Sequence, residues 1–350
     1  MIASKEDISR QFREGQTTNA LPPSSKIKIP YFLIPGEIRL MLAKIVFAGN
    51  AKSFHNDLDL FPAPYQDCSI DTWIRQNTTT ADDKKWHWPE NKKCALILSH
   101  DTDTAKQEKG INMLIDTADE RGIKNTFSFV GKDIAYYDSF LMELKSRGIE
   151  IALHDVVHDN MIAFGDKAAI KNRLTLFTPD KLTKYDVKGF RSPSWYVSPN
   201  LWNALGELDF LYDMSALDTY PFFEKGVNHG MCTFSPFVLN KLVILPNTIP
   251  FELPWLLGYK VNETFEFWKK KFDTIGENGG LFMFNAHPDR WYSGNKKANY
   301  QLQKCLDYII EKFDPAKLTS KEAAQHAIIM KNSDKMSEID KGQKIYVPNL

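Results

Sequence analysis

Cys94-Ala95-Leu96-Ile97-Leu98-Ser99-His100-Asp101-Thr102-Asp103 is a short apolar run that ends in two carboxylates. Apolar residues without polar alternation suit a strand covered on both faces, as in a parallel sheet or a closed barrel. The C-terminal end of such a strand is where α/β folds gather their active-site groups. A second run, Ile149 to Leu153, ends in the same way, at His154-Asp155-Val156-Val157-His158. Two strands that each deliver metal-ligand side chains point to a hydrolytic metal site.

Strand and helix signals alternate from Ala95 onward. A helix is expected over Gln107 to Arg121, with Ile111, Leu114, Ile115 and Ala118 on one face and Gly122 as its stop. Then come a strand over Asn125 to Val130, a helix over Ile134 to Arg147 and the strand Ile149 to Leu153. The pattern continues with a helix across Ala168 to Phe177, a strand over Val187 to Phe190, a helix over Pro199 to Leu208 and an apolar strand, Phe210 to Asp213. A β-rich middle from Met231 to Phe251 precedes a helix over Glu263 to Ile275, a strand over Leu281 to Asn285 and a helix over Ala298 to Phe313. Repeated βα units imply a parallel sheet or a closed (β/α) barrel.

Outside this block the signals weaken. Residues 1–90 read as an extension packing on the barrel, with a Pro-Pro-Ser-Ser linker at Pro22 to Ser25 and an amphipathic helix from about Glu37 to Phe47. Trp86 and Trp88 lead into the first strand and fit either sugar stacking or a cap over a barrel end. Residues 91–314 form the barrel, and the polar, lysine-rich stretch 315–350 reads as a C-terminal tail on the surface.

With 350 residues, 43% of them hydrophobic, the chain can bury a sizeable core in one large domain with extensions, or in two domains. Its 44 basic and 44 acidic residues cancel, so no nucleic-acid or anionic-membrane partner is favoured. Cys68, Cys94, Cys232 and Cys305 show no CxxC spacing, which argues for buried thiols of a reducing compartment. The N-terminus lacks the apolar core of a secretory signal. The stretch Tyr31 to Phe47 is broken by Pro35, Gly36, Glu37, Arg39 and Lys44, so it falls short of an integral membrane segment. A cytoplasmic protein is expected; its oligomeric state is not legible.

His154 and His158, spaced i, i+4, bring two imidazoles near one point if the chain turns helically after its strand. Alone, that spacing also fits two core or surface histidines. Beside Asp-x-Asp at an equivalent strand end it suggests two imidazoles and the Asp103 carboxylate around a divalent ion, with Asp101 as the base for an attacking water. Arg191 follows a further strand and can hold a carboxylate ionised. Tyr212-Asp213 and Asn285-Ala286-His287-Pro288 end two more. A carboxylate paired with His287 would suit it to donate a proton.

Taken in order, Asp101/Asp103, His154/His158, Arg191-Ser192-Pro193, Asp213 and Asn285-Ala286-His287 resemble the five motifs of the NodB-homology polysaccharide deacetylases, carbohydrate esterase family 4. The resemblance covers residues 94–290 and implies an α/β fold, a distorted (β/α)7 barrel. It implies a divalent ion on Asp103, His154 and His158, commonly zinc, with cobalt, nickel and manganese as alternatives. It makes Asp101 the base, Arg191 its orienting partner, His287 the acid for the leaving amine and Asp213 the group that tunes His287. A backbone N–H would complete the oxyanion site, with Trp195 or Tyr196 as its wall. The implied substrate is an N-acylated sugar, a precursor of surface polysaccharide or lipopolysaccharide.

This chain departs from the family pattern at several positions. Asp-Thr-Asp replaces adjacent aspartates, and His100 replaces an apolar residue, where it reads as a packed neighbour. Asp155 stands where a small hydroxyl residue is usual and is placed to orient a ligand imidazole. Asn285 replaces the leucine that helps wall the acetyl pocket, so an acyl group other than acetate comes into view. Two other readings stay open: a cyclic amide or imide hydrolase, as for allantoin, and a non-catalytic carbohydrate-binding barrel. Against a mere binder, Asp101, Arg191 and His287 together supply both a base and an acid.

Overall fold

Strand β1, Ala95–Thr102, is buried along its whole length, because it lies between two cores. Leu96 and Leu98 face an outer core shared with the helices, whereas Ala95 and Ile97 face an inner one. The same alternation runs along β9, Leu281–Ala286, where Phe282 and Phe284 point outward and Leu281 and Met283 inward. A strand with apolar residues on both faces is what a continuous apolar run encodes. The computed structural model describes residues 34–35, 37–42, 44–45, 87–104, 106–134, 136–176, 179–218, 234–239 and 241–332. The Pro22–Ser25 linker, Trp86, Cys68 and Cys232 lie outside the described residues; of the helix expected over Glu37 to Phe47, residues 37–42 and 44–45 are described and are helical.

The remaining strands are β2 (Asn125–Phe129), β3 (Glu150–Leu153), β4 (Gly189–Phe190), β5 (Tyr212–Asp213), β6 (Phe237–Leu239), β7 (Leu242–Ile244), β8 (Ile249–Pro250) and β10 (Ala316–Lys317). Together they form one curled sheet in the order β6-β7-β5-β4-β3-β2-β1-β9-β8, with β10 beside the start of β1. Every pairing is parallel except β6 with β7. The architecture is the distorted α/β barrel that the family resemblance implies, one of the two arrangements that the alternation of strands and helices allows.

Helices α1 (Glu108–Asp119), α2 (Asp138–Ser146), α3 (Lys167–Thr175), α4 (Pro179–Tyr185), α5 (Pro199–Glu207), α6 (Leu253–Leu256), α7 (Thr264–Asn278), α8 (Lys296–Phe313) and α9 (Ser320–Asn332) accompany the strands. α1 buries Ile111, Leu114, Ile115 and Ala118, as their spacing predicts. α5 begins where Ser198 accepts a hydrogen bond from the Leu201 amide and Pro199 takes the first turn. α8 begins at Asn295, which accepts from the Lys297 and Ala298 amides. Among the described residues, no helix is long and apolar enough to cross a membrane.

The stretch after Asp314, expected as a surface tail, is structured to residue 332. β10 pairs with Ala95 and Leu96, and α9 then closes the N-terminal end of the barrel. Ala323, Ala324 and Ala327 enter the inner core beside Trp88, whose ring stacks on His326. The Ser320 amide donates to Thr126 Oγ1 at 3.1 Å, and the Lys321 amide to Glu150 Oε2 at 3.0 Å. Small side chains let a helix sit across a narrow barrel mouth. Ala324→Asp, which would bury an unpaired charge there, is expected to cost about 3–5 kcal/mol, read as a lower urea midpoint.

Candidate active site

Strand alternation decides which side chains meet at the open end of the barrel. Ala95 and Ile97 set the inner face of β1, and Ser99, Asp101 and Asp103 continue it. On β3 the inner residue is Ala152, followed by His154; after the outward Phe190 of β4 comes Arg191. Asn285 and His287 continue the inner face of β9. His100 points the other way. It stacks on Phe127, its Nε2 lies 3.0 Å from Asn125 Oδ1, and burial pushes its pKa down to about 3, so it is a neutral packing residue.

Asp103, His154 and His158 are all buried, and their ligand atoms lie within 4.8 Å of one another. Asp103 Oδ1 is 3.3 Å from His154 Nε2 and 3.4 Å from His158 Nε2. His154 Nδ1 donates to the Arg191 carbonyl at 3.0 Å, which reserves Nε2 for the site. Burial opposes ionisation of Asp103, but the neighbouring His158 and His287 and the hydrogen bonds from His154 and His158 hold it well below the usual carboxylate range. Burial pushes the His158 pKa down, against the pull of Asp103. One carboxylate and two imidazoles in a buried, three-sided donor set fit a divalent ion of the zinc type.

Arg191 is fully buried, and three contacts fix its guanidinium. Nη1 lies 3.2 Å from Asp101 Oδ1, Nη2 donates to Ser99 Oγ at 2.8 Å, and Nε to the Met214 carbonyl at 3.0 Å. Burial would raise the Asp101 pKa, but Arg191, His154 and His287 outweigh it and the net direction is down. Asp101 is therefore an ionised carboxylate aimed into the site.

His287 is prepared in the opposite sense. Its backbone amide donates to Glu252 Oε1 at 2.7 Å, and its Nδ1 lies 3.2 Å from Glu252 Oε2. Its Nε2 stands 3.9 Å from Asp103 Oδ1. Burial works against the charge, but Glu252, Asp103 and Asp101 raise the pKa to about 10. Gly110 of α1 and Gly294 hold this loop from two sides: a Cβ on either would fall within 2 Å of the Pro288 carbonyl oxygen.

The tuning role expected of Asp213 is corrected by this geometry. Tyr212 and Met214 take the inner face of β5, so Asp213 points outward, to α5. It accepts hydrogen bonds from Trp202 Nε1 at 3.0 Å, the Ser215 amide at 3.2 Å and Ser215 Oγ at 2.5 Å. Ser215 Oγ in turn accepts from the Ser192 amide at 2.7 Å, so Asp213 braces the Arg191 turn from behind. The carboxylate on His287 is Glu252, two residues past β8. Glu252 carries the same signal as Asp101, an acidic residue at a strand end, but a two-residue strand is too short to announce itself.

Asp155 is also corrected. Its carboxylate is taken by Arg173 Nε at 2.9 Å and Nη2 at 2.5 Å and by the Val156 amide at 2.6 Å, rather than by an imidazole. Arg173 also donates to the Val157 carbonyl at 2.7 Å, so α3 clamps the loop that carries His158. Trp195 and Asn285 do meet: the indole Nε1 donates to Asn285 Oδ1 at 2.9 Å. Ser194 and Trp195 hold φ values of 56° and 57°, a left-handed backbone of the kind that clusters at functional loops. Tyr196 instead packs edge-on against Phe164, with ring centroids 5.1 Å apart.

A residue that no motif announces also reaches the site. Arg39, from the helical turn at 37–42, donates to Asp289 Oδ2 at 3.0 Å, and its Nη1 lies 3.8 Å from Asp103 Oδ2.

No family model matches the chain, and no curated protein sequence matches it. Solved structures do. A structure carrying the name polysaccharide deacetylase, from Mycobacterium smegmatis, is 19% identical with a TM-score of 0.57, over 73% of this chain and 96% of that one. Another of that name, from Pseudomonas aeruginosa PAO1, is 13% identical with a TM-score of 0.55, over 71% and 94%. Puue allantoinase is 14% identical with a TM-score of 0.56, also over 71% and 94%. The chain thus has the NodB-type barrel fold of these structures.

Proposed function

We propose that this protein is a metal-dependent amide hydrolase that removes an N-acyl group, acetyl in the simplest case, from a sugar. The observation that carries this reading is one buried donor set flanked by two oppositely prepared groups. Asp101 is held ionised by Arg191, and His287 is held protonated by Glu252. Pairs whose environments push their pKa values apart mark the base and the acid of a reaction.

Asp103, His154 and His158 would hold the ion, zinc foremost, with cobalt, nickel or manganese as alternatives. When bound, the ion polarises the amide carbonyl and makes water more acidic. Asp101 then accepts the proton of the attacking water, with Arg191 keeping it aimed. His287 gives its Nε2 proton to the departing nitrogen, while Glu252 fixes the ring through Nδ1. The proposed substrate is a carbohydrate precursor of surface polysaccharide or lipopolysaccharide in the cytoplasm, a compartment that the buried free thiols Cys94 and Cys305 support.

The test is to load the protein with zinc and measure bound metal together with acid release from a panel of N-acyl amino sugars. About one ion per chain with release of a small acid supports the proposal. No bound metal would remove the ligand assignment. Metal with ring opening of allantoin, and no acid from any sugar, would move the activity to cyclic amides.

A further inference from the structure

Asn285 lies on the inner face of β9, fully buried, two residues before His287. Two residues of strand span about 6.6 Å, so its carboxamide sits one pleat deeper in the barrel than the imidazole. The Trp195 indole can only donate, so its 2.9 Å bond obliges Asn285 to present its oxygen there. That leaves the Asn285 NH2 group buried and without a hydrogen-bond partner among the described residues. Ser99, its register partner on β1, does not bond to it; the Ser99 hydroxyl donates to the Phe284 carbonyl and accepts from Arg191. A leucine, with the same number of side-chain heavy atoms, would bring no unmet donor to the place. The structure therefore holds a donor with no use in the fold, directly beneath the acid.

We propose that Asn285, pinned by Trp195, selects an N-acyl group with a hydrogen-bond acceptor on the carbon next to the carbonyl, a 2-hydroxyacyl group such as glycolyl, over acetyl. The inference rests on the sugar N-deacylase reading above. The reacting carbonyl lies between Asp101 and His287, and the bulky sugar must stay toward the open end. Only the acyl tail can pass below His287. A hydroxyl two bonds from the carbonyl carbon points down the pleat, and a hydrogen bond of about 3 Å from the amide reaches up to meet it.

The test compares N-glycolylglucosamine with N-acetylglucosamine as substrates, and glycolate with acetate as ligands of the zinc-loaded protein by calorimetry. Preference for the glycolyl member by on the order of tenfold is expected in kcat/KM and in affinity. In Asn285→Leu the ratio is expected to fall to about one. Trp195→Phe, which frees the amide to turn, should lower it as well and serves if the first variant does not fold. A ratio near one in the wild type, or one that neither variant changes, would overturn the proposal, a water then capping the amide. If neither sugar is hydrolysed, the deacylase reading falls, and the glycolate-to-acetate affinity ratio still decides the pocket.

Discussion

Asp101→Asn is expected to lower acid release by roughly 10²–10⁴-fold, the usual contribution of a positioned general base, while metal content stays that of the wild type. The substitution keeps the shape of the side chain and removes its capacity to accept a proton. The donor set of Asp103, His154 and His158 is untouched. His154→Ala should behave differently, because it removes one of three donors and leaves the Arg191 carbonyl without its imidazole partner. That variant is expected to lose both metal and activity. Rate and metal content, measured on the same preparations, separate the two. Metal loss in Asp101→Asn would make Asp101 a ligand, and an unchanged rate would end its role as base. Stability should also fall in Asp101→Asn, since buried Arg191 loses its counter-charge.

Glu252→Gln is expected to move the basic limb of the pH–rate profile toward acid by on the order of 1–3 units. The sign follows from His287. Its pKa is raised to about 10 against burial, with Glu252 the leading cause, so the imidazole stays protonated across the neutral range. A protonated acid is the working form, and without the carboxylate it is lost at lower pH. The pair acts on stability in the same sense: its contribution is complete below the ordinary imidazole pKa of about 6.5 and is lost as pH rises through about 10. Asp213→Asn should leave the basic limb in place and lower stability instead, because Asp213 serves Trp202 and Ser215. A limb that moves in Asp213→Asn and stays in Glu252→Gln would return the tuning role to Asp213.

Strand signals carried most of the candidate site. Asp101, Asp103, His154, Arg191 and His287 each follow an apolar run, and the ends of parallel strands face one way in a barrel. Asp213 also follows such a run, and there the reasoning failed. β5 is two residues long, and alternation over two residues does not say which one faces inward. Arg39 meets Asp289 across 250 residues of sequence, a separation that no local pattern encodes. α9 escaped notice because its buried face is mostly alanine, which carries little hydrophobic periodicity.

By itself the sequence determined a parallel βα arrangement, sheet or closed barrel, the strand ends at which its chemistry gathers, and the residue types able to hold an ion there. Those features follow from local apolar runs and from the geometry of a strand, which neighbouring residues encode. Only the tertiary structure decided that Glu252 rather than Asp213 charges His287, that Arg173 claims Asp155, and that the Asn285 amide is pinned with its NH2 unmet. Each of these depends on which face a side chain takes and on a partner distant in sequence, and such pairings exist only once the sheet has curled.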